Sequence, residues 1–279
     1  MRFGFVFPGG QPNDAVDAAV LAEASGWDGF FMWDPVWGVE PWVTLAAVAV
    51  RTERIRLGTM ITPVSRCRPW KLAGETATLD RLSRGRVILS VGLGAVDTGF
   101  EAFGEEVDRR SRAELLDEGL EIVTGLWRGQ PFQFDGKHYH VRESSFVPAP
   151  PPVQQPRIPI WVVGAWPRPR SMRRVLRYDG LLPDVMSPDG RHRAATPDDV
   201  RGMMAFVQAE RAGDRPFDVV VEGETPAESP DRAGERVRPF AAAGATWWLE
   251  AMWSATDTMW EPATQGRIRA RIAQGPPVV

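Results

Sequence analysis

The chain has 279 residues, near the about 250 typical of a single α/β barrel, with 43% hydrophobic and 25% charged residues and a formal net charge of −3. That balance argues against nucleic acid as a partner. No apolar run approaches the roughly 20 residues of a membrane helix, and the apolar stretch over 1–8 is too short for a secretory signal. Cys67 is the one cysteine, which excludes an internal disulfide and a thiolate metal cluster. These numbers describe a soluble cytoplasmic protein with no metal, nucleic-acid or membrane partner.

The spacing predicts a strand over 2–7, rich in Phe and Val, then an Ala-rich helix over 13–25 capped by Asn13 or Asp14 and closed at Gly26. A second strand covers 27–33, and Pro41 opens a helix running to 51. A strand over 55–61, a helix over 69–82 and a strand over 86–93 follow. The longest helix spans 110–128, with Leu116, Leu120, Ile122 and Val123 at helical spacing.

Residues 129–157 break the rhythm. A hairpin over 132–141 turns on Asp135-Gly136, and a Pro-rich run over 148–152 suits neither helix nor central strand. This stretch is read as a surface excursion from one domain covering 1–279. The alternation resumes with a strand over 158–164, a helix over 169–178 and a strand over 180–184. Thr196 then caps a helix with Pro197 at its first position. A strand over 217–222, a helix over 230–243, a strand over 246–250 and a helix over 260–273 complete the chain. Parallel neighbours need crossover helices, and eight such units close a (β/α)8 TIM barrel. The competing open doubly wound sheet would more often carry a Gly-rich turn after the first strand, which Pro8-Gly9-Gly10 does not match.

In a closed barrel the chemistry lies at the carboxyl ends of the strands. That rule selects Phe7 and Pro8, Trp33 and Asp34, residues 59–63, Gly92 to Ala95, Gly164 to Trp166, Asp184, Glu222, Glu224, Glu250 and Trp253. Gly92-Leu93-Gly94 allows close approach of a planar or phosphate ligand, or makes a tight turn. Gly164-Ala165-Trp166, ahead of Arg168 and Arg170, reads as a phosphate cradle or as plain surface. Asp34, between Trp33 and Pro35, is either a carboxyl tuned for proton transfer or a loop cap. His138 and His140 share one strand face without a third ligand, so no metal site is expected there. His192 stands alone with no assigned role. Lys71 and Lys137 are the only lysines beside many arginines, and twelve tryptophans point to a Trp-lined cleft or to core packing.

The run Trp33-Asp34-Pro35, Glu40-Pro41-Trp42, Ile55-Arg56-Leu57-Gly58-Thr59, Leu79-Asp80-Arg81-Leu82-Ser83-Arg84-Gly85-Arg86, Gly92-Leu93-Gly94 and Pro159-Ile160-Trp161-Val162-Val163-Gly164 resembles the bacterial luciferase-like monooxygenase superfamily and its deazaflavin-dependent relatives. The resemblance implies an oxidoreductase that uses reduced FMN or coenzyme F-420 on a small-molecule substrate. It further implies a homodimer and, for FMN, a flavin reductase that supplies the reduced cofactor. It places a non-proline cis peptide behind the ring at Thr59, Met60, Ile61 and Thr62. Leu93 and Gly94 then lie beside the ring or its ribityl chain, and Gly164, Ala165 and Trp166 near the phosphate. Asp34 and Trp33 become the catalytic candidates, with Trp33, Trp37 and Trp166 shaping an apolar pocket. Many relatives carry His where this chain has Pro35, and several deazaflavin enzymes carry Glu where it has Ala95. Asp34, Glu222 or Glu250 would then substitute; the alternative is a barrel that binds flavin without catalysis.

Overall fold

The computed structural model describes residues 1–144, 149–226 and 229–279. Eight parallel strands form the barrel: β1 (Arg2–Phe7), β2 (Gly29–Met32), β3 (Arg56–Thr59), β4 (Val87–Gly92), β5 (Ile160–Trp166), β6 (Gly180–Met186), β7 (Asp218–Gly223) and β8 (Trp247–Ala251). Each pairs in parallel with the next, and β8 returns to β1 with Phe3 opposite Trp248, so the sheet closes. The helices between and after them are α1 (Pro12–Ala24), α2 (Pro41–Arg51), α3 (Pro69–Leu82), α4 (Arg109–Arg128), α5 (Pro169–Val175), α6 (Pro197–Glu210), α7 (Pro230–Ala242) and α8 (Pro262–Ala273). Every one except α4 has proline in its first turn, where the missing N–H costs nothing. Among the described residues, no helix is long and apolar enough to cross a membrane.

The barrel interior is filled by aromatic side chains. Phe31, Trp161 and Trp247 meet within it, tilted for Phe31–Trp161 with ring centroids 5.4 Å apart and edge-on for Trp161–Trp247 at 5.2 Å. Each such ring hides about 150–250 Å², roughly 4–6 kcal/mol of gross transfer free energy at about 25 cal/mol per Å². Three glycines on neighbouring strands make the room: a Cβ on Gly4, Gly29 or Gly58 would stand 2.8, 2.7 or 3.1 Å from the Phe31 ring. This packing accounts for two of the twelve tryptophans. A second, larger apolar layer joins the outer strand faces to the helices through residues such as Leu45, Leu72, Leu116 and Ile268.

Several boundaries differ from the sequence expectation. α1 begins at Pro12, and Asp14 is its third residue, where its carboxylate accepts the Gln11 N–H at 3.2 Å. β3 stops at Thr59, two residues before the expected end; the Met60–Ile61 peptide that follows is cis, and Thr62–Pro63 then pairs briefly with β4. α5 ends at Val175, three residues early. The excursion contains the expected hairpin, Phe132–Asp135 against His140–Ser144. His138 lies in its turn rather than on a strand and meets Glu114 at 3.0 Å, whereas His140 meets Asp135 at 2.6 Å, so the two imidazoles do not converge. Pro148, the first residue of the Pro-rich run, lies outside the described residues.

Candidate functional site

Alternation along each strand decides what faces the barrel mouth. Phe31, Ile88, Leu182, Val220 and Leu249 point inward, so two residues on, the same faces present Trp33, Ser90, Asp184, Glu222 and Ala251 toward the carboxyl end. The cis peptide Met60–Ile61 falls inside the segment where the resemblance places one. The Met60 N–H donates to the Met32 carbonyl at 2.7 Å, which ties the loop after β3 to the end of β2. Ile61 covers Gly92, where a Cβ would stand 2.6 Å from Ile61 Cδ1 and 2.9 Å from Val163 Cγ2. Ile61 and Val163 thus close over Gly92 as an apolar surface. Thr59 and Thr62 are fully buried and hydrogen-bond to each other at 2.8 Å, holding the loop from beneath.

The glycine loop after β4 is held from outside. Arg112 on α4 donates to the carbonyls of Leu93 at 2.8 Å and Gly94 at 3.1 Å. Gly94 has a φ of 76°, which a side chain would resist. Arg112 escaped the sequence reading, although it sits in the apolar stripe with Leu116, Leu120 and Val123, an unusual place for an unpaired cation.

Asp34 is enclosed, with its side chain 11% exposed. Burial raises its pKa from 3.8 to about 6, against opposing contributions from the nearby Arg66 guanidinium and the Thr62 hydroxyl. Arg66 lies 3.7 Å from the Asp34 carboxylate and donates to the Pro35 carbonyl at 2.7 Å. Asp34 is therefore a poorly solvated carboxyl poised near neutrality, which is the state proton transfer needs. Cys67, beneath it, is driven up to about 12 by burial and is no nucleophile.

A trough with a cavity volume of about 70 Å³ opens at the ends of β1 and β2, between Trp33 and Pro35 on one side and Met259 and Trp260 on the other. Trp33 and Trp37 line it as expected; Trp166 does not. The Trp166 ring instead packs edge-on to Phe206 of α6, centroids 6.2 Å apart, and fills the space left by Gly202. A larger crevice of about 410 Å³ is lined by Arg128, Arg157 and Tyr178. It lies at the amino ends of the strands, away from the mouth, and is not the site.

At the end of β5 the structure redistributes the expected roles. A Cβ on Gly164 would meet Leu181 Cδ1 at 2.5 Å, Val175 Cγ2 at 2.9 Å and Met172 Sδ at 3.1 Å, so this glycine brings α5 and β6 close. The Ala165 N–H is already used, donating to Ser171 Oγ at 3.0 Å. Arg168 and Arg170 are exposed, and among the described residues neither has an ion-pair partner. Gly164→Ala is expected to destabilise by about 1–3 kcal/mol through overpacking, read as a lower urea midpoint. Full stability with weakened anion binding would instead put the ligand against this Cα.

Glu250 is a structural residue. It is fully buried and accepts hydrogen bonds from Thr225 N and Oγ1, both at 2.8 Å, and faces Arg271 at 3.3 Å. Glu222 faces the mouth: solvent reaches it, yet protein surrounds it, and this desolvation raises its pKa against the hydrogen bond from Trp253 Nε1 at 3.2 Å.

A model of the luciferase-like monooxygenase family matches residues 1–274. The chain belongs to this family. An F-420-dependent glucose-6-phosphate dehydrogenase from Nocardia farcinica is 35% identical over 186 residues, 62% of this chain and 52% of that protein. A protein of the same name from Microbacterium testaceum is 30% identical, over 60% of this chain and 52% of its own length. The chain thus spans about half the length of the curated relatives it matches. Among solved structures, the coenzyme F-420-dependent tetrahydromethanopterin reductase from Methanopyrus kandleri superposes with a TM-score of 0.75 at 17% identity over 98% of both chains. The FMN complex of the oxygenating constituent of 3,6-diketocamphane monooxygenase from Pseudomonas putida superposes with a TM-score of 0.71 at 17% identity, over 98% of this chain and 97% of that one. Both show the shared barrel.

Within this luciferase-like barrel, the pair His192–Asp184 was missed by sequence reasoning. His192 lies on a two-residue strand folded back antiparallel onto β6, and its Nδ1 meets Asp184 Oδ1 at 2.5 Å. The available signal was the Ser-Pro-Asp-Gly turn at 187–190, which folds the chain back on itself and returns His192 to the strand it has just left.

Proposed function

We propose that this chain is an oxidoreductase that holds coenzyme F-420 or reduced FMN across the strand ends and acts there on a small organic molecule. The observation that carries the reading is the enclosed, desolvated carboxyl of Asp34 just past the end of β2, between Trp33 and Pro35 in the chain, which themselves line an uncharged aromatic trough. The residues present fit such a cofactor. Ile61 and Val163 close over Gly92 as an apolar surface, with Met60 next to Ile61 in the chain, and Ser90, on the same inward face, carries a buried hydroxyl with no partner among the described residues. Both cofactors carry phosphate, and Arg168 and Arg170 are exposed cations beside the end of β5 with no ion-pair partner among the described residues. Thr59 and Thr62 would support the ring from below, with Leu93 and Gly94 at its edge and Ala165 and Trp166 beside the phosphate.

When bound, either group supplies hydride exchange with a substrate carbon, two electrons and one proton moving together. Asp34 supplies the matching proton site. Ionised, it accepts the hydroxyl proton of an alcohol being oxidised; protonated, it returns that proton to the oxygen of a carbonyl being reduced. Trp33 packs beside it and keeps water from the reacting atoms. The relatives at 30–35% identity are named for coenzyme F-420, which favours that cofactor. With reduced FMN, the same site would depend on a flavin reductase partner.

The test offers the purified chain oxidised coenzyme F-420 with a panel of alcohols, and each reduced cofactor with ketones, imines and enones. Cofactor absorbance should change with at least one substrate, at a rate above the substrate-free control. Saturable cofactor binding with no turnover across the panel would make this a binding protein and overturn the enzymatic reading.

A further inference from the structure

We propose that Phe100 is a positioning residue: its ring holds Arg66 and Arg112, and through them fixes the Asp34 carboxyl and the Leu93-Gly94 loop in one arrangement. The proposal rests on the oxidoreductase reading above, which gives those two groups their roles.

The loop between β4 and α4 is exposed or half-exposed from Leu93 to Asp108 except at one side chain. That side chain is Phe100, 1% exposed. Two short turns flank it, Val96–Thr98 and Glu101–Phe103. The Phe100 N–H donates to the Val96 carbonyl at 3.3 Å, and its carbonyl accepts the Glu105 N–H at 2.9 Å, so the loop winds around this ring. The ring edge lies against Gly94, where a Cβ would stand 2.7 Å from Phe100 Cζ.

Two guanidinium groups lie over the same ring, Arg66 at 5.6 Å and Arg112 at 5.9 Å from its centre. That is inside the roughly 6 Å at which a ring face attracts a cation. Both cations are poorly solvated: the Arg66 side chain is 12% exposed and Arg112 7%. The Nε of each is buried and meets no hydrogen-bond acceptor among the described residues. A buried cation needs compensation, and the negative face of the Phe100 ring offers it to both. The remaining nitrogens are committed to the two loops. Arg66 donates to the carbonyls of Asp34 at 3.2 Å and Pro35 at 2.7 Å and stands 3.7 Å from the Asp34 carboxylate. Arg112 donates to the carbonyls of Leu93 and Gly94.

A weaker ring face lets Arg66 drift from Asp34. The other groups that face this carboxyl are the Thr62 hydroxyl, which favours its ionised form, and Glu40 and Glu75, which oppose it. Lys71 is held by Glu75 at 2.9 Å, and Cys67 stays a neutral thiol. Burial and the two glutamates are then less opposed, so Asp34 titrates higher than in the parent.

The test replaces Phe100 by 3,5-difluorophenylalanine, which keeps the ring and its Cζ edge but drains charge from its face, and separately by Leu, which removes the face. Circular dichroism verifies that both fold. Asp34 is read without cofactor, from the pH dependence of urea unfolding; the same titration with Asp34→Asn added isolates this carboxyl. In the parent, stability falls as pH rises to about 6. The upper end of that window should move up by about half a pH unit in the fluorinated variant and further in Phe100→Leu. Affinity for coenzyme F-420 or reduced FMN should weaken about three- to tenfold in Phe100→Leu as the glycine loop loosens. An unchanged window in both variants overturns the proposal. So does a shift in Phe100→Leu with none in the fluorinated chain, which makes Phe100 a filler of space. Failure of the oxidoreductase reading is distinct: the window shifts as expected, but neither cofactor binds the parent, and the hold of the ring on Asp34 stands alone.

Discussion

Replacing Asp34 by Asn is expected to lower turnover by about 10²–10⁴-fold, the usual contribution of a positioned proton-transfer group, while cofactor affinity stays within a few-fold of the parent. Asn preserves the shape of the side chain but cannot exchange the proton. Its second signature is in stability. The folded pKa of about 6 exceeds the ordinary value of 3.8. Between about pH 4 and 6 the folded chain therefore binds more protons than the unfolded one. Stability contributed by neutral Asp34 is present below that window, falls as pH rises through it, and levels off above it. The difference is on the order of 2–3 kcal/mol. Asp34→Asn removes this slope and leaves the protein at neutral pH no less stable than the parent, which urea titrations at pH 4 and 7 would show. The rate profile of the parent should carry an inflection near pH 6 that is absent from the variant. Loss of folding in the variant would instead make Asp34 a structural cap.

The second large effect falls on stability alone. Arg271→Ala should cost about 3–5 kcal/mol, the penalty for leaving one member of a buried pair alone. Glu250 is fully buried, and Arg271 is 4% exposed and lies 5.1 Å over the Trp27 ring. Arg271 also donates to Thr225 Oγ1 at 2.9 Å and to the Gly275 carbonyl at 2.8 Å, so it pins the end of α8 to β8. The remaining bonds to Glu250 from Thr225 and Trp248 place the loss in the lower half of that range. Combining Glu250→Leu with Arg271→Met should recover most of it, because no charge is then stranded. A single variant with an unchanged denaturation midpoint would show that the pair is dispensable.

The barrel was legible because its strands are buried on both faces and read as short β-branched and aromatic runs between proline-opened helices. Thr196 and Pro197 open α6 as read, with the Thr196 hydroxyl accepting the Asp199 N–H at 3.2 Å. What escaped is what hydrophobic pattern does not encode. Apolar character continues past Thr59, so the pattern overran the end of β3. Gly164 looked like a ligand-facing glycine, but its missing Cβ serves the contact with Val175 and Met172, set by how α5 folds back. Trp166 was assigned to the pocket from its place at a strand end, yet its ring turns to α6, where Gly202 leaves room for it. The partners of Glu222 and of the Gly-Leu-Gly loop, Trp253 and Arg112, are 31 and 18–19 residues away along the chain. Such contacts exist only once the barrel closes.

That the barrel mouth holds a flavin or deazaflavin cofactor is tested most directly by anaerobic equilibrium titration with oxidised coenzyme F-420 and with reduced FMN. The parent is compared with Arg168→Glu and Arg170→Glu combined, two exposed positions whose reversal leaves the core untouched. Saturable binding of at least one cofactor is expected, weakened about tenfold or more by the charge reversal and by added salt. No spectral change with either cofactor at any concentration would contradict the assignment of the mouth.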